Sequence, residues 1–313
     1  MKIDRRTVLG LSGYALAASL VPVGAALAAA EIKSLTLVEP FGPHSLGRTA
    51  FDILRPAVQT DLGSPVTIET VRGHDGFDAI ASILDPKPGA PRVFGGSVMG
   101  SQFIEKQMSE QTSIESLTPI VKLTNGFSVT LFTKTGSPLK TWQDLAAAKP
   151  LKVSSLMRST ATYLAGLMAQ RKGGLAAEFT LRDSVAGVVE EVTSGRCAVG
   201  IINTPLVASQ PDRLQPIVTF GASRNAMLSR TPTFAEVMGN PKLAFTECLG
   251  VFAAPKMDTA VAARLTKAFI AAGQAPEVLN GAEAAMLPLA ISGPEILAET
   301  MQRNEGVLQL ILG

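Results

Sequence analysis

The sequence predicts an α/β fold of two lobes, each a mixed, mostly parallel sheet covered by helices. Short apolar runs alternate with segments of helical period, the pattern of strands joined by crossover helices. The chain has 313 residues, 46% of them apolar, which is more core material than one lobe needs. One strand, loop, helix pattern also occurs in each half of the chain.

The first residues read as an address. Lys2, Arg5 and Arg6 form a basic stretch, and Val8 to Leu27 is apolar but diluted by Gly10, Ser12, Gly13, Ser19, Pro22 and Gly24. Ala26-Leu27-Ala28 or Ala28-Ala29-Ala30 offers a small-residue cleavage site. Residues 1–28 are therefore expected to be a cleavable export signal, with the periplasm as destination. Arg5-Arg6 followed by Thr7, Val8 and Leu9 is similar to a twin-arginine (Tat) signal, and general secretory export is the alternative. The absence of a cysteine at the cleavage site argues against a lipid anchor, and no later segment has the length and apolarity of a membrane span.

Without that signal, the 28 basic and 26 acidic residues fall to 25 of each. A near-neutral chain has no electrostatic footprint for nucleic acid. Cys197 and Cys248 lie in apolar runs, where two buried thiols are the simpler reading and a disulfide stays open.

In chain order, Leu35, Leu37 and Val38 predict a short buried strand. Leu46, Ala50, Ile53, Leu54, Ala57, Val58 and Leu62 then recur at helical spacing. Between them, Pro40-Phe41-Gly42-Pro43-His44-Ser45-Leu46-Gly47-Arg48 forms a tight loop. Gly42, Pro43 and Ser45 supply turn chemistry, and Ser45 is placed to cap the helix. A capped first turn leaves backbone N–H groups facing the loop, a ready anion site flanked by His44 and Arg48. A turn histidine and a solvated helix arginine are the alternative at this point. Gly63-Ser64-Pro65 breaks the helix, Val66, Ile68 and Val71 predict a strand, and Phe77, Ile80, Ala81 and Leu84 a short helix. Val93-Phe94 leads into Gly95-Gly96-Ser97-Val98-Met99-Gly100-Ser101, a second strand-to-loop-to-helix junction. It brings Ser97 and Ser101 toward a crevice at the carboxyl ends of strands.

Phe127 to Thr133 alternates in polarity and is expected to cross into the second lobe. Thr141 to Ala148 reads as a helix and Leu151 to Ser155 as a strand. Ser154-Ser155-Leu156-Met157-Arg158-Ser159-Thr160 then repeats the first loop, ahead of a helix carrying Ala161, Leu164, Ala165 and Met168. Backbone donors again stand beside an arginine, and two such termini, one per lobe, suggest a clamp. Val185, Val188, Val189 and Val192 predict a helix within Asp183 to Ser194. Ala198 to Ile202 predicts a buried strand ending at Asn203, either a cleft residue or an ordinary turn. A strand over Ile217 to Phe220 precedes a loop and a short helix ending near Gly239. Cys248 to Ala253 is expected to cross back to the first lobe. Two helices close the chain, one through Val261, Leu265, Ala268, Phe269 and Ala272, the other from Pro294-Glu295 through Leu308.

Enzyme constellations fare poorly. Gly95-Gly96-Ser97-Val98-Met99 nearly spells a nucleophile elbow, but it lacks the second glycine, and the chain's two histidines, His44 and His74, both precede the serine. Triads with other residue orders keep an exported hydrolase as an alternative. Two histidines and two distant cysteines form no metal cluster at a recognised spacing, and no phosphate-cradling glycine motif occurs, so neither metal nor cofactor is expected. Asp75 and Asp78 near His74 read as a solvated loop and helix start.

Five segments in register carry a family resemblance: Pro40-Phe41-Gly42-Pro43, Leu62-Gly63-Ser64-Pro65-Val66, Tyr163-Leu164-Ala165-Gly166, Thr231-Pro232-Thr233-Phe234-Ala235-Glu236 and Gly250-Val251-Phe252-Ala253-Ala254-Pro255. Across the exported chain the sequence resembles the periplasmic solute-binding receptors of tripartite tricarboxylate transporters, also called Bug proteins. The resemblance implies a two-lobed periplasmic binding protein of the type II, Venus flytrap kind. One lobe would comprise residues 31–128 and 249–313, the other 129–248. It also implies a monomer that closes on a small carboxylate, held by main-chain donors of Phe41 to Arg48 and Ser154 to Thr160, and that presents it to membrane transporter subunits. A signalling partner in place of the transporter is the alternative. The ligand residues expected are Phe41, Pro43, His44, Ser45, Leu46, Arg48, Ser97, Ser101, Ser155, Leu156, Met157, Arg158, Ser159, Thr160 and Asn203. Family members commonly show two glycines after the second proline of the first loop and an aspartate four residues after the first of them. Here those positions are His44, Ser45 and Arg48, a charge reversal that predicts an anionic ligand with more than one carboxylate. Leu156 and Met157 add apolar bulk, which keeps an aromatic or branched acid open.

Overall fold

The computed structural model describes residues 31–43, 45–85, 89–108, 114–148 and 150–313. The expected export signal, residues 1–28, lies outside the described residues. The chain forms two mixed sheets flanked by helices. The first contains β1 (Leu35–Glu39), β2 (Val66–Thr70), β3 (Arg92–Ser97), β4 (Thr118–Thr124), β10 (Leu249–Ala253) and β11 (Leu289–Ser292), in the order β11-β4-β10-β3-β1-β2. The second contains β5 (Val129–Lys134), β6 (Leu151–Leu156), β7 (Ala177–Arg182), β8 (Val199–Asn203) and β9 (Leu214–Phe220), in the order β7-β6-β8-β5-β9. β1 pairs in parallel with β2 and β3, and β6 with β7 and β8. The antiparallel members are β10 with its neighbours, β11 at the edge of the first sheet, and β5 with its neighbours. β5 and β10 are the first strand reached after each passage between the sheets. At that crossing Phe127 and Glu247 exchange backbone hydrogen bonds, 2.7 Å from the Phe127 N–H and 3.2 Å from the Glu247 N–H.

The side chains of Ser45, Thr141, Thr160, Ser184, Thr233 and Asp258 cap helices. Helix α1 (Leu46–Leu62) buries Ala50, Phe51, Leu54 and Val58 against the first sheet, on the stripe that the sequence period predicts. After it come α2 (Phe77–Ala81) and α3 (Val98–Met108); α4 (Trp142–Ala147) carries a reciprocal capping box between Thr141 and Asp144. The second sheet is covered by α5 (Ala161–Gly173) and α6 (Val185–Thr193), with short α7 (Thr204–Ala208) and α8 (Phe234–Met238) at its margin. Phe234 anchors α8, stacking on Phe220 at 4.8 Å between ring centroids and meeting Trp142 edge-on at 5.1 Å. Helices α9 (Thr259–Ala272), α10 (Pro276–Ala284) and α11 (Pro294–Leu312) end the chain. α11 packs on β4 of the first sheet and carries Leu308 and Ile311 into the hydrophobic cluster of the second.

Local differences from the sequence reading have physical causes. The junction after Val93-Phe94 contains no loop: β3 runs through Gly95 and Gly96 to Ser97, and α3 starts at Val98. These glycines serve close packing, since a Cβ on Gly95 would lie 2.0 Å from the Phe51 ring. The sequence reading also passed over β7, α10 and β11, although β7 alternates Ala177, Phe179 and Leu181 with Glu178, Thr180 and Arg182. β11 is half-buried throughout, and so is β7 apart from exposed Glu178.

Candidate functional site

The site grows from the loops that follow β1, β6 and β7. In the first, Gly42 adopts φ 78°, the left-handed conformation that lets the chain turn back above Glu39. The Glu39 carboxylate is fully buried and accepts the N–H groups of Phe41 and Gly42, each at 2.8 Å, and the Thr70 hydroxyl. Ser45 caps α1, its hydroxyl accepting the Arg48 N–H at 3.0 Å. In the second loop Thr160 caps α5, accepting the Tyr163 N–H and donating to the Met157 carbonyl at 2.7 Å. In the third, Ser184 caps α6 through the Gly187 N–H at 3.2 Å. The first turns of all three helices border one cavity of about 200 Å³, with Leu46 and Gly47, Ala161 and Thr162, and Val185 and Ala186 in its wall.

Of the residues expected at the ligand, the wall contains Phe41, Pro43, Ser45, Leu46, Ser97, Leu156, Met157, Thr160 and Asn203. His44 lies outside the described residues. The others serve the frame. Arg48 is not in the wall: its Nε donates to both Asp52 carboxylate oxygens at 3.0 Å, one turn along α1. The charge reversal expected from Arg48 is therefore not delivered to the cavity, because an i,i+4 partner holds the guanidinium on the helix surface. Arg158 is also outside the wall. Its N–H donates to Asp75 at 3.1 Å, and its guanidinium stands 3.6 Å from the same carboxylate, across the gap between the two sheets. Ser101 is buried in α3 and donates to the Ser97 carbonyl at 2.7 Å. Ser155 donates to Thr162 at 3.1 Å, supporting the α5 terminus from behind. Ser159 is interlobe packing: a Cβ on Gly100 would fall 2.1 Å from its carbonyl oxygen.

Sequence reasoning missed Phe127, Asp183, Ser184, Val185, Ala186, Leu206 and Leu249, all in the wall. The signal for the α6 terminus was present, since Asp183-Ser184 precedes a valine-spaced helix as Ser45 precedes α1. It also missed Glu247, fully buried behind Ser97. Its carboxylate accepts the Ser97 hydroxyl at 2.5 Å and the N–H groups of Met99, Gly100 and Cys248 at 3.1, 3.2 and 2.8 Å. Burial pushes its pKa above the ordinary carboxylate value, and these four donors oppose the shift. At the cleft edge Arg72 meets Asp183 at 3.4 Å, a second ion pair between the sheets. No cluster of three His, Cys, Asp or Glu side chains that could hold a metal occurs among the described residues.

The site and fold can be set beside known proteins. No curated protein matches the chain. Among solved structures, MatC from Rhodopseudomonas palustris with bound malate aligns over 89% of this chain and 98% of its own, at 17% identity and a TM-score of 0.77. The periplasmic binding protein BugD aligns over 89% and 95%, at 17% identity and a TM-score of 0.74. Rpa4515 of R. palustris with adipate aligns over 89% and 97%, at 16% identity and a TM-score of 0.72. These likenesses show the two-lobed fold of periplasmic binding proteins. The family model TctC, tripartite tricarboxylate transporter family receptor, matches residues 55–299. With that match running through both sheets, the chain belongs to the tripartite tricarboxylate transporter receptor family.

Proposed function

We propose that this chain is a periplasmic receptor that captures a small organic carboxylate between its lobes and presents it to membrane transporter subunits. The observation that carries this reading is the cavity, on which helix N-termini from both sheets open. Among the described residues its wall holds no lysine or arginine, so the attraction for an anion comes from backbone donors and helix dipoles. Membership of a transporter-receptor family supports the role, and the malate and adipate bound by two neighbours support the chemical class. The lobes are residues 31–128 with 249–313, and 129–248, hinged where Phe127 pairs with Glu247. Closure about that pair hides the ligand and completes a surface for the transporter. The chain works as a monomer without a cofactor, as a receptor and not an enzyme. Export is by the signal in residues 1–28. The nine expected residues found in the wall, Phe41 to Asn203, contact the ligand, with the first turns of α1 and α5 holding its carboxylate.

Thermal unfolding with a panel of organic acids tests the reading. A ligand at 100 times its dissociation constant adds about 2.7 kcal/mol to stability, a clear rise in the midpoint. Ser45→Asp is the informative variant. Aspartate caps a helix as well as serine does, so the free protein should melt as before, while the new charge at the α1 terminus should abolish the acid-induced shift. A shift retained in Ser45→Asp would remove the α1 terminus from the anion site. A wild-type midpoint unmoved by every acid would overturn the receptor reading.

A further inference from the structure

The end of β6 and the loop after it supply Leu156, Met157 and Thr160 to the cavity wall. Between Met157 and Thr160 the same loop meets the other lobe, where Ser159 is buried against two glycines. A Cβ on Gly100, in the first turn of α3, would fall 2.1 Å from the Ser159 carbonyl oxygen and 2.5 Å from its carbonyl carbon. That contact is with main chain, so no change of rotamer relieves it. A Cβ on Gly76 would lie 3.2 Å from the Ser159 Oγ and 3.1 Å from the Pro40 Cβ, and beside it the Arg158 N–H donates to Asp75 at 3.1 Å. Pro40, Asp75, Gly76 and Gly100 thus form a seat on the first lobe for residues 158–159. The Ser159 hydroxyl finds no hydrogen-bond partner among the described residues, so its contribution there is its size. Both sides of the seat are braced. The Gly100 N–H donates to the Ser97 Oγ at 3.1 Å and to Glu247 at 3.2 Å. In the second lobe Thr160 donates to the Met157 carbonyl, and the Thr162 Oγ lies 2.9 Å from the Thr160 Oγ, 3.1 Å from the Ser155 Oγ and 3.3 Å from the Leu156 N. A loop tied this often moves as one piece, so a displacement at Ser159 is carried to Leu156 and Met157.

We propose that Gly100 and Ser159 are positioning residues for ligand capture: the Ser159 turn seats on bare Gly100 and Gly76, and this seat sets the interlobe angle at which Leu156, Met157 and Thr160 complete the cavity wall. This deepens the receptor reading above and rests on its closure of the lobes. The ion pairs of Arg72 with Asp183 and Arg158 with Asp75, at 3.4 and 3.6 Å, reach into solvent and tolerate small shifts. Packed main chain does not, because repulsion rises steeply once atoms touch. The ion pairs therefore favour the approach of the lobes, and the glycine seat fixes where it ends.

The test reads closure directly, without a ligand. Arg72→Cys with Asp183→Cys puts one thiol on each lobe at an exposed contact, and a short bismaleimide joins the two when the lobes are closed. Cys197 and Cys248 are buried and stay out of the reaction. Adding Gly100→Ala or Ser159→Leu to this pair should slow cross-linking about tenfold, since each overfills the seat. Adding Ser159→Ala, which fits the seat and loses no hydrogen bond, should leave the rate unchanged. Should Gly100→Ala disturb Ser97, whose Oγ its Cβ would approach to 2.5 Å, the two Ser159 variants carry the comparison alone. With Asp183 and Arg72 restored, Ser159→Leu should also weaken binding of whichever acid raises the wild-type melting midpoint. A parent pair that does not cross-link, or rates unchanged by Gly100→Ala and Ser159→Leu, would overturn the inference. Slowing by Ser159→Ala as large as by Ser159→Leu would overturn it as well. Slowed cross-linking in a protein that binds none of the acids would overturn the receptor reading and leave the seat standing as the contact that ends closure.

Discussion

Glu247 illustrates how a single side chain can be invisible in the sequence and central in the fold. An isolated acid between Thr246 and Cys248 carries no motif, and only the passage between the sheets buries it against α3. Because burial raises its pKa, the folded chain holds this proton more tightly than the unfolded chain does. The resulting stabilisation is complete below the unfolded value, about 4.5, and is lost as pH rises through the folded one. Glu247→Gln should remove this component. The stability of the wild type relative to the variant should therefore fall as pH increases from about 4.5, as measured by denaturant unfolding across pH. A flat difference would mean that the four donors to the carboxylate fully offset its burial. Arg48 teaches the opposite lesson. Its place in the chain pointed to the ligand, but Asp52 four residues on was an equally readable partner, and the nearer carboxylate holds it.

At the scale of elements, capping is local: Ser45, Thr160 and Ser184 each bond an N–H three residues on, and of these Ser45 was read as a cap from the sequence. What the loops do to one another was not legible. The turn after β2 places Asp75 at φ 56°, a left-handed position, and aims its carboxylate at Arg158 in the loop after β6. This contact joins the two sheets. Asparagine tolerates left-handed backbone, which makes Asp75→Asn a change of charge alone. An exposed ion pair contributes about 0.2–1 kcal/mol, so ligand release from the variant should quicken by about fivefold at most. Raising salt to about 1 M should bring the wild type toward the same rate, because screening is then nearly complete. Stopped-flow release measurements check both; a larger change would mean that Asp75 does more than pair with Arg158.

For the whole molecule, the two cores are separate but not independent. Cys197 is buried in a cluster beneath α6 and Cys248 in one beside α3, each as a free thiol. Burial raises the pKa of both, so they should resist alkylation in the native state, react as two thiols after unfolding, and leave the melting point unmoved by reductant. Helix α11 ties the cores together. Leu308 is fully buried in the cluster of the second sheet although its helix also packs on β4 of the first. Leu308→Ala should cost about 2–5 kcal/mol and lower the unfolding midpoint accordingly, as read by calorimetry.

The alternation of strands and helices, the helix termini of α1 and α5 and the family were determined by the sequence itself, because periodicity, caps and turn residues act over a few positions. β7, α10 and β11 were not read, although Ala177, Phe179 and Leu181 of β7 alternate cleanly with Glu178, Thr180 and Arg182. The two loops expected at the ligand do border one cavity, because a strand, loop, helix unit carries its own geometry. Only the tertiary structure decided which charges reach that cavity. Arg48, Arg72 and Arg158 are paired away by Asp52, Asp183 and Asp75, while Glu247 arrives from a distant segment to occupy the donors of α3. The physical reason is the reach of the interaction. A helix and its cap are settled by neighbours along the chain, whereas the partner of a charge is settled by whatever the fold brings within a few ångströms.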